Sequence, residues 1–311
     1  MSNPYTTACV TGGAGFIGVH LVRALLARGM TVNVLDNLCV GKATTVPAGA
    51  RLIVGDILDP MCLGDALEGC DAVFHLAARV AIRASFAGVV DDTATNVVGT
   101  ASVLQAAQTA GVRKVITTSS MAVYADAVAP LPLNEHSPTE PISPYGISKL
   151  AAERLTHTMC AKAGMQSVAL RLFNTYGPGQ ILSPYVGVVT IFVNALRQGK
   201  APTIFGDGAQ CRDFVHVADV VQGFLAAMEA EVSGETFNIG TGVPTSVNTV
   251  LHHINRVMHT ALAGQYVEAA AGELRYSLAD ISKARRMLGY APQYSFATSI
   301  ETVVRDILEM P

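Results

Sequence analysis

An apolar run, Ala8–Thr11, breaks straight into Gly12-Gly13-Ala14-Gly15-Phe16-Ile17-Gly18 before a helical pattern begins. No other stretch limits the fold so severely. Glycines spaced by three suit a strand that turns tightly at Gly12 and feeds a helix, Phe16–Arg28, packed close to it at Gly18. Gly15 leaves the backbone bare where the helix starts, and unpaired N–H groups there favour an anion. A purely structural turn would use the same glycines, so the surrounding sequence has to decide.

Short β-branched runs alternate with longer helical patterns over the first 180 residues. Thr31–Leu35, Arg51–Val54, Ala72–Leu76, Lys114–Thr118 and Ser167–Leu172 follow the first strand, each preceded by helix or loop. This alternation predicts right-handed βαβ units. Several runs are apolar throughout, as strands covered on both faces are. The fold class is therefore α/β, a Rossmann-type doubly wound parallel sheet with a smaller C-terminal substrate-binding region. Past about residue 175, turns such as Gly177-Pro178-Gly179 and Gly206-Asp207-Gly208 separate shorter elements. We expect the sheet in residues 1–175 and the ligand region mainly in 176–311, with the chain crossing between them. Ligands of such a sheet lie beyond the carboxyl ends of its strands.

Those ends carry residues that suit a dinucleotide. The second strand ends at Asp36-Asn37, and Asp36 stands 18 residues after Gly18. A carboxylate there accepts hydrogen bonds from ribose hydroxyls and repels a 2′-phosphate, which favours NAD over NADP. Asp56-Ile57 follows the third strand, where the adenine amino group would lie. His75-Leu76-Ala77-Ala78 closes the fourth, with small residues against the pyrophosphate and nicotinamide ribose. Together with Gly12, Gly15, Phe16, Ile17 and Gly18 these make a complete NAD cradle.

Composition removes other classes of function. The chain is 50% hydrophobic and 14% charged, and its formal charge of −3 offers nothing to nucleic acid. Nothing near Met1 reads as a signal peptide, and the longest apolar stretch, 185–196, is too short to cross a bilayer. Six cysteines without CxxC pairs or ligand spacing read as buried reduced thiols of a cytoplasmic protein. His252 and His253 read as helix surface and core, and no metal is expected.

Chemistry enters at Tyr145-Gly146-Ile147-Ser148-Lys149, a Tyr-x-x-x-Lys pair on one helix face. A free tyrosine ionises near pH ~10, and a neighbouring ammonium with a positive nicotinamide brings the phenolate into range. The bland alternative is an ordinary amphipathic helix. Against it stands Thr118-Ser119-Ser120 at the end of the fifth strand, where a hydroxyl reaches the same cleft. Ser120, four residues before Tyr124, is the better placed of the two serines.

These segments, with Arg171-Leu172-Phe173-Asn174-x-Tyr176-Gly177-Pro178 and Arg212-Asp213-Phe214-Val215-His216-Val217, stand in the order seen in extended short-chain dehydrogenases. The chain resembles the nucleotide-sugar 4-epimerases of that family from about residue 5 to 290. Asn238-Ile239-Gly240 and Ala279-Asp280-Ile281-Ser282-Lys283-Ala284 match late family segments. The resemblance implies that Tyr145 takes the sugar hydroxyl proton while hydride passes between C4 and nicotinamide. Ser120 would polarise the oxygen, and Lys149 would tune Tyr145 and hold the nicotinamide ribose. Asn174 and Arg212 would hold the diphosphate of a UDP-sugar, and Phe205 would pack the uracil. For Arg212 a salt bridge with Asp213 is the structural alternative.

Three positions depart from the family. A second diphosphate arginine is replaced by Ala270, ahead of Ala271-Gly272-Glu273, so the contact is missing or comes from another residue such as Arg275. Ala125 stands where glycine is usual. Ser277 stands where glucose-selective epimerases carry a bulky tyrosine, which implies room for an N-acetyl group. The competing activities are a 4,6-dehydratase or decarboxylase, a UDP-uronic acid 4-epimerase, a plain NAD-linked reductase and a non-catalytic NAD sensor. The first pair needs a carboxylate beside the strand-end hydroxyl, and Ser120-Met121-Ala122 supplies none. Helices near Asn96–Gln108 (with Val97, Val98, Ala101 and Leu104) and Tyr145–Ala161 suggest a homodimer through a four-helix bundle.

Overall fold

The computed structural model describes residues 5–80, 82–126, 129, 131–182, 187–268 and 275–309. Tyr185, Ala270, Ala271, Gly272 and Glu273, used above, lie outside the described residues. The first half runs β1 (Thr7–Thr11), α1 (Phe16–Ala27), β2 (Thr31–Asp36), β3 (Arg51–Val54), α2 (Pro60–Leu67) and β4 (Ala72–His75). It continues through α3 (Ile82–Ala87), α4 (Val89–Thr93), α5 (Gly99–Thr109), β5 (Lys114–Ser120), α6 (Pro144–Ala163) and β6 (Gln166–Leu172). A π-helical turn, Ala94–Val98, joins α4 to α5.

These strands form an all-parallel sheet in the order β10-β6-β5-β4-β1-β2-β3. Successive β1 residues feed opposite cores: Ala8 and Val10 pack with Leu21, Phe74 and Phe224, whereas Cys9 packs with Leu35, Leu63 and Val115. Covering both faces with helices is why the strands do not alternate in polarity. β5 runs two residues past its expected end, because Ser119 and Ser120 pair with Arg171 and Leu172 of β6. The two serines are therefore strand residues at the sheet's carboxyl edge.

The second half contains β7 (Asn174–Tyr176), α7 (Val188–Arg197), β8 (Thr203–Phe205), β9 (Cys211–His216), α8 (Val217–Glu229) and β10 (Glu235–Ile239). Then come β11 (Pro244–Ser246), α9 (Val247–Met258), β12 (Gln265–Val267), β13 (Tyr276–Ser277), α10 (Ser282–Leu288) and α11 (Phe296–Glu309). β10, unassigned in the sequence reading, returns to the first sheet beside β6. Its Phe237 and Ile239 complete the core under α8. β9 pairs with β7, β11 and β13 in a smaller sheet. A separate core of Phe192, Val193, Val250, Ile254, Ile300 and Val304 joins α7, α9 and α11.

Details differ from the sequence reading. Cys9, Cys70 and Cys160 are buried, but Cys39 is exposed and Cys62 and Cys211 are half-buried; all six are free thiols. His252 is exposed and His253 only half-buried, so neither is core. Of the apolar residues expected to pair two chains, Leu104 is buried in this chain's core, whereas Val98 keeps 52% of its surface exposed.

Helix α6 is the element that positions the chemistry. Ser143 caps it by accepting the Gly146 N–H at 3.1 Å, Pro144 opens its first turn, and Gly164 ends it at φ 72°. Its inner face is polar. Glu153 and Arg171 of β6 form a two-pronged ion pair, Nη2–Oε1 2.7 Å and Nε–Oε2 3.0 Å, with both side chains buried. The Ser119 hydroxyl donates to Glu153 Oε2 at 2.6 Å, and the Arg171 guanidinium also stacks on Tyr124, 4.8 Å from its ring centroid. Arg171→Met leaves Glu153 buried without its partner and is expected to cost about 3–5 kcal/mol in denaturant unfolding. The double variant with Glu153→Met should lose much less. Equal losses would mean that the pair contributes only shape.

Candidate active site

The carboxyl ends of the seven-stranded sheet form one wall of a long cleft, and β7, β8 and β9 form the other. Its volume, about 1970 Å³, is roughly twice the upper end for a single ligand site. The cleft has room for two large molecules.

At one end the glycine turn does what its spacing requires. Gly12 adopts φ +71°, and a Cβ there would lie 2.7 Å from the Ala77 nitrogen. At Gly18 a Cβ would strike the Gly12 carbonyl at 2.3 Å. Gly15 opens α1 with no side-chain cap. The first helical N–H groups, at Phe16, Ile17 and Gly18, thus begin at the cleft wall without intrahelical partners. Asp36 is braced by the Ala14 N–H (3.0 Å) and the Leu38 N–H (2.8 Å). Asn37 donates to Asp56 Oδ2 at 2.9 Å, which joins the ends of β2 and β3. Ile57, Leu76, Ala77 and Ala78 line the same stretch. An uncapped helix start, with its N–H groups at the positive end of the helix dipole, beside a fixed carboxylate fits the pyrophosphate and ribose of NAD.

Tyr145 and Lys149 stand on α6 where the cleft meets β5, and Ser120 faces them from that strand's last position. All three are buried, at 7%, 4% and 8% exposure. Burial pushes the Tyr145 phenol up to about 12; the Ser120 hydroxyl opposes this and the Asp92 carboxylate adds to it. Burial brings the Lys149 ammonium down to about 8, against Asp92 and Glu153, which hold it up. Lys149 Nζ donates to Thr118 Oγ1 at 3.2 Å. The Ser119 hydroxyl is engaged by Glu153 of the same helix.

A network unseen in the sequence supports this triad. The Ser148 hydroxyl donates to buried Asp92 at 2.5 Å, and Asn96 reaches Ser148, Asp92 and both backbone groups of Arg79. Thr100 donates to the Asn96 carbonyl (2.6 Å), so its oxygen accepts from His75 Nε2 (2.9 Å). His75 Nδ1 then accepts the Thr11 hydroxyl at 2.8 Å, and Thr11 Oγ1 accepts the Ala77 N–H at 3.3 Å. Burial lowers His75 to about 3, with Lys149 adding to the effect, so this imidazole stays neutral. The chain of bonds links the dinucleotide turn to the π-helical turn carrying Asn96. π-Turns often mark functional sites. Nothing in the local sequence announces this one, but Tyr145, Lys149, Glu153 and His157 at every fourth position do announce a polar helix face.

On the opposite wall, Asn174 (β7), Phe205 (β8) and Arg212 (β9) all line the cleft. The Asn174 Oδ1 is buried with no partner among the described residues. Arg212 donates to the Arg275 carbonyl at 3.0 Å. Its suggested partner Asp213 instead takes the Thr241 and Gly242 N–H groups, each at 2.8 Å. Arg275 pairs with Asp207 at 3.2 Å and is not among the residues lining the cleft. Ser277 is not among them either. It sits at 1% exposure on β13, in register with Arg212, its hydroxyl without a partner among the described residues. Its backbone partner across the pairing with β9, Arg212, does line the cleft.

The comparisons with known proteins agree with this geometry. Residues 8–240 match the model of the NAD dependent epimerase/dehydratase family. The chain is 37% identical to UDP-glucose 4-epimerase of Mycolicibacterium smegmatis, over 95% of this chain and 96% of that one. Among solved structures it resembles Thermotoga maritima UDP-glucose 4-epimerase with UDP-glucose, at TM-score 0.94 and 34% identity, covering 98% and 99% of the two chains. It also resembles UDP-N-acetylglucosamine 4-epimerase of Methanobrevibacter ruminantium in complex with UDP-N-acetylmuramic acid, at TM-score 0.91 and 31% identity, covering 97% and 98%. With its glycine turn, its Tyr-x-x-x-Lys helix and its two-ligand cleft, the chain belongs to the NAD dependent epimerase/dehydratase family.

Proposed function

We propose that the protein inverts C4 of a UDP-sugar, through a transient 4-keto intermediate, with NAD as its cofactor. The observation that carries this reading is the meeting of Ser120, Tyr145 and Lys149 at the middle of a two-ligand cleft. The glycine turn lies toward one end, and Asn174, Phe205 and Arg212 lie across from it. Bound NAD supplies a reversible two-electron acceptor. Tyr145 takes the proton of the C4 hydroxyl and later returns it, while Ser120 donates a hydrogen bond to the same oxygen. Lys149 lowers the cost of a Tyr145 phenolate in a buried site. Arg212 and Asn174 hold the diphosphate, and Phe205 stacks on the base.

The carboxylates around Tyr145 favour epimerisation over dehydration. Glu153 is tied to Ser119 and Arg171, and Asp92 to Ser148 and Asn96, so neither is free to act as an acid on the sugar. Small Ser277, in register with Arg212, supports acceptance of N-acetylhexosamine as well as hexose substrates. We further infer a cytoplasmic homodimer, supported by exposed Val98 (52%) and Ile147 (57%) on the helices expected to pair. Light scattering should give twice the chain's 32.5 kDa; a monomer would remove that part of the reading.

The activity is tested by incubating the protein, without added cofactor, with UDP-glucose and separately with UDP-N-acetylglucosamine. The C4 epimer of one or both should appear with no net NADH, and Tyr145→Phe should slow it by roughly 10²–10⁴-fold. Loss of water or carbon dioxide would move the reaction to the dehydratase or decarboxylase class.

A further inference from the structure

The turn Gly177-Pro178-Gly179-Gln180 follows β7, and its last three residues line the cleft. It belongs to no helix or strand, and Gly179 sits at φ +82°. A glycine-rich turn loses much conformational freedom when it is ordered, so it needs fixing from outside. Three bonds fix it, each from a different helix. His20 of α1 meets the Pro178 carbonyl through Nε2 at 2.9 Å, and Asp306 of α11 accepts the Gly179 N–H at 2.7 Å. Thr190 of α7 donates to Gln180 Oε1 at 3.2 Å. A carbonyl only accepts, so His20 carries its proton on Nε2. Burial lowers His20; the Pro178 carbonyl opposes this, Arg23 adds to it, and the Asp306 carboxylate opposes it. The two pins therefore lie within reach of each other's charge.

The turn is fixed beside the start of α1. His20 stands four residues past Phe16, about one helical turn or 6 Å along the axis. The two rings meet edge-on, their centroids 5.8 Å apart. The turn thus runs alongside the uncapped N–H groups that fit the pyrophosphate of NAD. On the function proposed above, on which this inference rests, the hydride leaves the sugar and returns to it. The cofactor must not escape between those two transfers.

We propose that the 177–180 turn is a strap that retains NAD, and that His20 and Asp306 are the positioning residues that hold it beside the pyrophosphate. One pin comes from the helix that starts the dinucleotide site, the other from the last helix of the chain, so the strap ties the two halves together across the cofactor. Removing either pin loosens the strap and leaves Ser120, Tyr145 and Lys149 in place.

The test is a chase. The protein is loaded with radiolabelled NAD, freed of excess by gel filtration and mixed with unlabelled NAD, and loss of label is followed. Asp306→Ala and His20→Ala should each release NAD about 10-fold faster. Asp306→Asn keeps an acceptor and His20→Gln keeps a donor, and both should release it near the unsubstituted rate. Binding of UDP, measured by calorimetry, should be equal in all five proteins, which a general loosening of the fold would not allow. Unchanged release in either alanine variant, no recovery in Asp306→Asn and His20→Gln, or UDP binding weakened in step with NAD loss would each overturn the proposal. Failure of the unsubstituted protein to carry labelled NAD through gel filtration would overturn the cofactor reading itself, and this proposal with it.

Discussion

Helix α6 turns a polar face into the protein, and the rest of the candidate site depends on how that face is satisfied. Tyr145, Lys149, Glu153 and His157 recur every fourth residue and meet the ends and flanks of β5 and β6. Burying an ammonium, a carboxylate and a guanidinium is costly unless each finds a partner. Glu153 binds Arg171 and Ser119, Lys149 binds Thr118, and His157 sits between Ser167 and Thr236, 3.0 Å from each. With these bonds made, α6 can neither rotate nor slide along the sheet. Tyr145 is thereby held opposite Ser120 without needing a substrate to place it.

The same constraint explains the electrostatics. A site dry enough to raise Tyr145 to about 12 and lower Lys149 to about 8 keeps both groups neutral more readily than water would. In the proposed reaction such a site lets a proton move between tyrosine and a sugar oxygen without leaking to solvent. Asp92 and Glu153 keep charge on Lys149, while Ser120 stabilises a phenolate on Tyr145. The neutral imidazole of His75 adds no charge to this balance and serves to lock the turn at Ala77 to Thr100.

Much of this was legible in the sequence, because it depends on local rules. The glycine turn, the carboxylate at Asp36 and the six successive strands follow from backbone sterics and from burial on both faces. Tyr145 and Lys149 follow from helical periodicity. What escaped depends on contacts distant in sequence. β10 reads as a strand only beside β6, and the π-helical turn matters only because Asn96 meets Ser148 and Arg79. Ser277 meets Arg212 only through the pairing of β13 with β9, which no local pattern announces. The His20–Pro178 and Asp306–Gly179 bonds join residues more than a hundred apart, and no local pattern links them.

The central claim is that hydrogen leaves C4 and returns to the same carbon within one closed site. A UDP-sugar carrying deuterium at C4, incubated in ordinary water and followed by NMR, tests it most directly. The account predicts that both epimers keep the deuterium at C4 throughout the approach to equilibrium. Replacement of that deuterium by solvent hydrogen as the epimer forms would contradict it.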